Sequence, residues 1–135
     1  MKNLFIITIA ALTITACNRG ADQEKALLDD VIKLHDKVMG KDEQLMKNKM
    51  KIDTLLTTVK DTAQKNQLVR LNAGLMVSEQ AMEGWMQRFD PEQKDKSHDE
   101  KVAYLTGQKK QIMVIDSQMN VTIEKSSQYI NQLKK

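Results

Sequence analysis

The sequence repeats apolar residues every seven positions over much of its length. In the first half of the chain, one such row consists of Val31, Val38, Leu45, Ile52 and Val59. A spacing of seven keeps successive side chains on one face of an α-helix, whereas successive residues of a β-strand point to opposite faces. The row extends over about four heptads, which predicts a long amphipathic helix packed against other helices.

Two later segments carry the same pattern. The row of the second segment is Leu68, Leu75, Met82 and Phe89, with Leu71, Ser78 and Trp85 beside it; the third contains Val102, Leu105, Ile112, Met119, Ile123, Ile130 and Leu133, with Ile115 widening the apolar face. Asp61 and Ser97 each precede a segment and are followed three residues later by glutamine or glutamate, which is typical of helix N-caps. Asp90 ends the second segment, because a residue before proline is pushed out of helical geometry.

These segments predict an all-α fold. We expect an antiparallel three-helix bundle or coiled coil with long helices at about 22–60, 62–89 and 98–134. Gly40 lies inside the first predicted helix, where glycine costs about 1 kcal/mol relative to alanine. A break at Gly40 is the alternative, but the apolar rows keep their phase across it, and we favour a continuous helix.

The N-terminal segment has the form of an export signal. Lys2 precedes an apolar run from Leu4 through Leu12, and the tetrapeptide ITAC follows, ending at Cys17. The run is about a dozen residues long, which fits a signal peptide and is too short to span a bilayer. The segment resembles bacterial lipoprotein signals, in which the cysteine thiol is acylated and the peptide before it is removed.

The resemblance implies three parts: a signal peptide at 1–16, a lipidated tether at 17–21 and a helical bundle domain at 22–135. Cys17 is the only cysteine, so no intramolecular disulfide is possible. A single acyl chain binds membranes only marginally, whereas two or three would attach Cys17 stably to membrane lipid. Asn18 follows in place of the aspartate that retains some Gram-negative lipoproteins in the inner membrane, which favours the outer membrane. Whether the domain faces the periplasm or the exterior stays open.

Bundle topology predicts which end lies near the membrane. With lipid at Cys17 and a tether of about 15 Å at most, the start of the first helix and the 90–97 loop would lie beside the headgroups. The turn near Asp61 and the C-terminus would lie at the far end. Partners are then expected at the far end or along the flanks.

Methionine is the unusual residue type, with nine in the chain. His35 and Met39 are four residues apart, as are Met46 and Met50, and Met82 and Met86. Thioether and imidazole ligands suit Cu(I) or Ag(I), and Trp85 would shield such an ion through a cation–π contact. The same side chains also suit gap-filling positions of a helical core. We favour that interpretation and therefore assign no metal and no cofactor.

Other composition and motif features indicate neither an enzyme nor a nucleic-acid-binding protein. The net charge is only +3, with acidic and basic residues interleaved rather than grouped into a basic patch. His98 lies in a charged loop and is interpreted as an exposed polar residue. No HExxH motif or phosphate-binding glycine loop occurs, and lipidation would consume Cys17. We predict a protein without catalytic residues.

The predicted mature part is similar to small uncharacterised helical envelope lipoproteins, some labelled "viral A-type inclusion protein" for their coiled-coil similarity. The likeness is carried by LHDKVM at 34–39, AMEGWM at 81–86 and EKVAYL at 100–105. The resemblance implies a helical envelope lipoprotein and supplies no activity. The leading hypothesis is a lipid-anchored structural or protein-interaction module with an unidentified protein partner. The alternatives are a soft-metal binder using His35, Met39, Met46, Met82 and Met86, and an envelope-stress chaperone.

Overall fold

The computed structural model describes residues 14–133, and this part of the chain is built from four α-helices. They are α1 (Ile14–Met39), α2 (Asp42–Thr58), α3 (Thr62–Arg88) and α4 (His98–Leu133). No β-strand occurs in the described residues. The all-α prediction is therefore confirmed, with α1 and α2 together forming the first predicted helix.

Contacts between helices show an up–down–up arrangement. The ion pair between Asp30 and Lys109, at 2.7 Å, joins α1 to α4, and Asn48 on α2 contacts Ser126 further along α4. Residue numbers rise together on these helices, which are therefore parallel. On α3 they fall instead, since Lys49 pairs with Glu79 and Asp53 with Asn72. The described residues form the predicted antiparallel three-helix bundle. We call its three parts rods: α1 with α2 is the first, α3 the second and α4 the third.

The core consists of the heptad rows. In the first row Val31, Val38, Leu45 and Ile52 are fully buried, and Leu68 and Leu75 of α3 and Ile112 of α4 are buried equally. Met82, Trp85, Met119 and Ile130 pack against the same cluster. Apolar burial of this kind contributes about 1.5–3 kcal/mol per large side chain, and it holds the helices of the bundle together.

The first predicted helix is bent at Gly40, where the structure divides it into α1 and α2. The helix α1 ends at Met39, α2 begins at Asp42, and the amide of Lys41 donates to the carbonyl of Val38 at 3.0 Å, one residue tighter than the α-helical bond. Glycine weakens the helix at this point, and the acidic pair Asp42 and Glu43 favours a new helix N-terminus. The row of fully buried residues continues across the bend, so the phase is retained.

The start of the first helix also differs from the prediction. The backbone is helical from Ile14, eight residues before the expected start, and the expected tether at 17–21 lies within α1. The physical reason is local: the only residue in 17–21 that disfavours a helix strongly is Gly20, and nothing there breaks the hydrogen-bond ladder. The predicted signal peptide falls mostly outside the described residues, as do the C-terminal lysines at 134 and 135.

Capping residues set the other helix ends as predicted. The Asp61 side chain accepts the amide of Gln64 at 2.8 Å. At the start of α4 the Ser97 amide donates to the Glu100 carboxylate at 2.8 Å, and the Glu100 amide donates back to the Ser97 hydroxyl. These contacts satisfy amides that the first turn of a helix leaves free. Within residues 14–133, none of the helices combines enough length with enough hydropathy to traverse a lipid bilayer.

Candidate functional site

A methionine-lined cleft lies at the surface of the core between the end of α1, the start of α2, and the helices α3 and α4. Its volume is about 90 Å³, and it is lined by Val38, Met39, Asp42, Glu79, Met82, Glu83, Met86 and Met119. Four thioethers from three different rods therefore converge on one small space. Met82 and Met119 are buried, whereas Met39 and Met86 are each 39% exposed, so the cleft reaches from the core to solvent.

His35 adjoins this cleft through Met86. The imidazole Nε2 lies 3.3 Å from the Met86 sulfur, and Nδ1 lies 3.0 Å from a carboxylate oxygen of Asp36. An ionised carboxylate only accepts hydrogen bonds, so its partner Nδ1 carries the proton in the neutral ring. Nε2 then presents a lone pair to the thioether, which is itself an electron-pair donor. The arrangement offers two soft or borderline ligand atoms to the same point.

A row of aromatic rings extends from His35. The Trp85 ring centroid lies 5.9 Å from that of His35 and 4.7 Å from that of Phe89, which in turn lies 6.3 Å from Tyr104. The Trp85 indole nitrogen is buried and, among the described residues, has no hydrogen-bond partner. The buried Trp85 ring therefore neighbours both the His35 and the Phe89 rings.

Carboxylates give the cleft a negative border. Asp42, Glu79 and Glu83 all line it, and Glu79 is neutralised in part by its ion pair with Lys49. A border of this sign attracts cations. Over the described part of the chain, however, no three His, Cys, Asp or Glu side chains group in a metal-binding arrangement. Any metal held here would depend on thioether ligands.

The structure brings together most of the residues singled out for soft-metal binding. His35, Met39, Met82 and Met86 lie around one cleft, while Met46 lies outside it on α2. Met119 was placed in the core by its heptad position, and its contribution to the cleft was missed. Spacing along each helix identified the methionines, but it carries no information on which turns of two helices lie opposite each other.

Exposed apolar side chains continue from the cleft along the first rod. Ile32, Met39 and Met46 follow each other at intervals of seven and are 43%, 39% and 39% exposed, and Met50, one turn further, is 66% exposed. At 100° per residue these four positions fall in one narrow strip. We refer to Ile32, Met39, Met46 and Met50 as the methionine strip.

The buried carboxylate of Asp116 was not foreseen from the sequence. The Asp116 carboxylate on α4 accepts hydrogen bonds from Lys37, at 2.9 Å, and from Lys41. Burial alone would raise the pKa of Asp116, but these two lysines outweigh it and hold the pKa below its usual range. Asp116 lies seven residues before Ile123, so its heptad position was the signal that could have found it.

Polar contacts join α1 to α4 at the end of the bundle that is predicted to carry the lipid. His98 Nδ1 lies 2.8 Å from a carboxylate oxygen of Glu24, and Lys101 approaches the other oxygen at 3.4 Å. The hydrogen bond from His98, together with Lys101, lowers the pKa of Glu24. His98, which was interpreted as an exposed polar residue, is exposed and also joins the start of α4 to α1. Cys17 lies in the same helix as Glu24, two turns earlier.

Known proteins give no further guidance. No family model matches the sequence, and no curated protein or solved structure is significantly similar to it. The resemblance to envelope lipoproteins therefore rests on the motifs of the sequence itself, and the function is argued from the residues and their arrangement.

Proposed function

We propose that this protein is a lipid-anchored helical bundle of the bacterial cell envelope that acts as a non-enzymatic interaction module. Acylated Cys17 is its proposed attachment to membrane lipid, with the outer membrane favoured by Asn18. The observation that carries the interaction role is the methionine strip, which exposes apolar side chains along one flank. Its proposed partner is an amphipathic helix of another envelope protein.

Exposure and residue type both support docking on this strip. Monomeric proteins scatter single apolar residues over their surfaces, whereas rows of them are typical of contact sites. Ile32 and Met46 lie one heptad on either side of Met39, a spacing that a partner helix matches with its own i and i+7 positions. Methionine side chains adapt to different partner surfaces at low cost.

The direction of the bundle supports access to a partner. The Glu24–His98 contact brings the 89–97 loop to the same end as Cys17, and α2 carries the strip away from that end. At about 1.5 Å per residue, Met50 lies roughly 50 Å along the helix axis from Cys17. A partner would thus dock well clear of the lipid headgroups.

In-cell photocrosslinking of the full lipoprotein tests this proposal. Photoreactive residues at Ile32 and Met46 sample the strip, and Val114 and Val121 on α4 are matched controls because they are apolar and at least as exposed, at 56% and 44%. A discrete adduct of one mass from both strip positions, missing from both α4 positions, is the expected result.

Two outcomes would contradict the proposal. One is the same set of adducts from all four positions, which would show collision rather than docking. The other is no adduct from Ile32 or Met46 while the variants accumulate and fractionate like the parent protein. A photoreactive residue at exposed Lys94, in the loop at the proposed membrane end, reports whether crosslinking to nearby lipid contributes to the signal.

A further inference from the structure

We infer that His35 and the thioethers of the methionine cleft form a binding site for a soft monovalent cation, Cu(I) or Ag(I). The ligand atoms are Nε2 of His35 and the sulfurs of Met86, Met82 and Met39. The site shares Met39 with the methionine strip, but binding of the ion does not require a partner docked there.

The contact between His35 and Met86 carries the inference. In the neutral tautomer that donates from Nδ1 to Asp36, the Nε2 lone pair of His35 faces the Met86 sulfur at 3.3 Å. Neither atom can donate a hydrogen bond to the other in that tautomer. A cation that accepts an electron pair from each of these atoms would be bound by both. The Nδ1 contact is also the outer-shell hydrogen bond that orients most metal-binding histidines.

The distance between the two atoms fits a shared metal ion. Bonds of about 2.0 Å to nitrogen and about 2.3 Å to sulfur, taken from zinc sites, separate the two ligand atoms by about 3.5 Å at a tetrahedral angle. The observed separation is 3.3 Å. A side-chain adjustment of a few tenths of an ångström is sufficient, and Met86 is free to make it because the side chain is partly exposed.

The remaining ligands lie one helical turn away on the same two rods. Met39 follows His35 by four residues on α1, and Met82 precedes Met86 by four residues on α3, so each pair shares a helix face. Met39, Met82 and Met86 line the same 90 Å³ cleft. A cavity needs only about 10–15 Å³ measured in this way to hold a water molecule, so the cleft has room for an ion.

The donor set determines which ions are preferred. Thioether sulfur is a soft ligand that favours Cu(I), whereas Mg²⁺ and Ca²⁺ require oxygen ligands. Asp42 and Glu83 border the cleft and increase the local concentration of cations. The site therefore combines general attraction for cations with selectivity for soft ones.

Calorimetric titration with Ag(I) in chloride-free buffer tests the site, using the full chain in detergent micelles. Every protein carries Cys17→Ser, so that no thiol competes for the ion. We expect one saturable site with sub-micromolar affinity, weakened at least tenfold by His35→Gln or by Met86→Leu. Leucine replaces methionine with little change in volume, which separates loss of a ligand from loss of packing. Met50→Leu and Met113→Leu are the matched controls, since both methionines are exposed and lie outside the cleft.

Methionine methyl NMR on the same samples locates the ion. On addition of one equivalent of Ag(I), the methyl signals of Met39, Met82 and Met86 are expected to shift, while those of Met50 and Met113 stay in place. Binding no tighter than micromolar would overturn the inference. So would an unchanged affinity in both the His35→Gln and Met86→Leu proteins, or equal shifts of all methionine signals.

Discussion

Asp116 is a carboxylate of α4 that lies mostly buried between two lysines of α1 and the bend that follows it. Its side chain is only 13% exposed, and Lys41, which donates one of its hydrogen bonds, is 20% exposed. Hydrogen bonds to a charged group contribute about 1.5–3 kcal/mol when they are shielded from water. Lys37 is more exposed, and solvent screens its share. Asp116 thus fastens α4 to the bent region of the first rod.

Asp116→Asn is expected to lower the free energy of unfolding by about 2 kcal/mol at neutral pH. The pKa of Asp116 is lower in the folded protein than in the unfolded chain, so its carboxylate stabilises the fold at neutral pH. That contribution is lost as the pH falls below about 4 and through the folded-state pKa. The difference between parent and variant should therefore narrow with acidification, which urea unfolding at a series of pH values measures.

Asp30→Asn is the control for this substitution. Asp30 also pairs with a lysine between α1 and α4, but its side chain is 46% exposed, so the effect on stability should be smaller. A constant difference between Asp116→Asn and the parent from pH 7 to pH 3 would show that shape, rather than charge, explains the loss.

Asn48 of α2 makes polar contacts with α4 that affect how these two helices pack. Its buried side-chain amide donates to the Ile123 carbonyl and to the hydroxyls of Ser126 and Ser127, and its oxygen accepts from Gln44. A polar group buried in an apolar seam is satisfied only where its partners lie opposite, so it specifies the register of two helices. Asn48 therefore positions α2 along α4.

The bend between α1 and α2 leads to a prediction at Gly40. A Cβ added there would lie 3.5 Å from the carbonyl oxygens of Asp36 and Lys37, which is ordinary van der Waals contact. Gly40→Ala is therefore expected to raise the free energy of unfolding by about 0.5–1 kcal/mol, because alanine loses less backbone entropy on folding. Thermal and urea unfolding followed by circular dichroism measure the change.

Gly20→Ala provides the contrast for Gly40→Ala. At Gly20 an added Cβ would come within 3.3 Å of the His98 ring, so the contact with α4 must yield by a few tenths of an ångström. We expect Gly40→Ala to raise the free energy of unfolding by more than Gly20→Ala does. Destabilisation by Gly40→Ala would mean that the bend requires glycine rather than merely containing it.

Heptad spacing was sufficient to predict the helices and their buried rows, because apolar residues seven positions apart lie on one face of a helix and that face is buried. The bend at Gly40 could not be predicted in this way. Glycine costs a helix about 1 kcal/mol relative to alanine, and whether the helix bends there depends on contacts with other helices, such as that of Lys41 with Asp116. Asn48 was missed because it interrupts an apolar row. For the cleft, spacing found His35 and Met39 on one rod and Met82 and Met86 on another, but their approach depends on register, which polar contacts such as those of Asn48 establish.

The whole molecule has two different ends. At one end Glu24, His98 and Lys101 close the bundle beside the helix that contains Cys17. At the other end Asp61 caps α3 after a short turn from α2. The methionine strip and cleft lie between these ends. If lipid is attached at Cys17, both surfaces are held at a fixed side of the membrane, which restricts the partners and ions that reach them.

The proposed attachment through Cys17 predicts how a single substitution changes the lipidation of the protein. Burial of acyl chains contributes about 0.8 kcal/mol per methylene, so two or more chains hold the protein in the membrane. Cys17→Ser removes the acceptor thiol and should abolish labelling of the protein by a fatty-acid analogue. Asn18→Ser, which keeps the cysteine and the small residue before it, should retain the labelling. Because the described core begins well after this position, the Cys17→Ser chain should keep the helical circular dichroism of the parent. Undiminished labelling of the Cys17→Ser protein would reject lipidation at this residue.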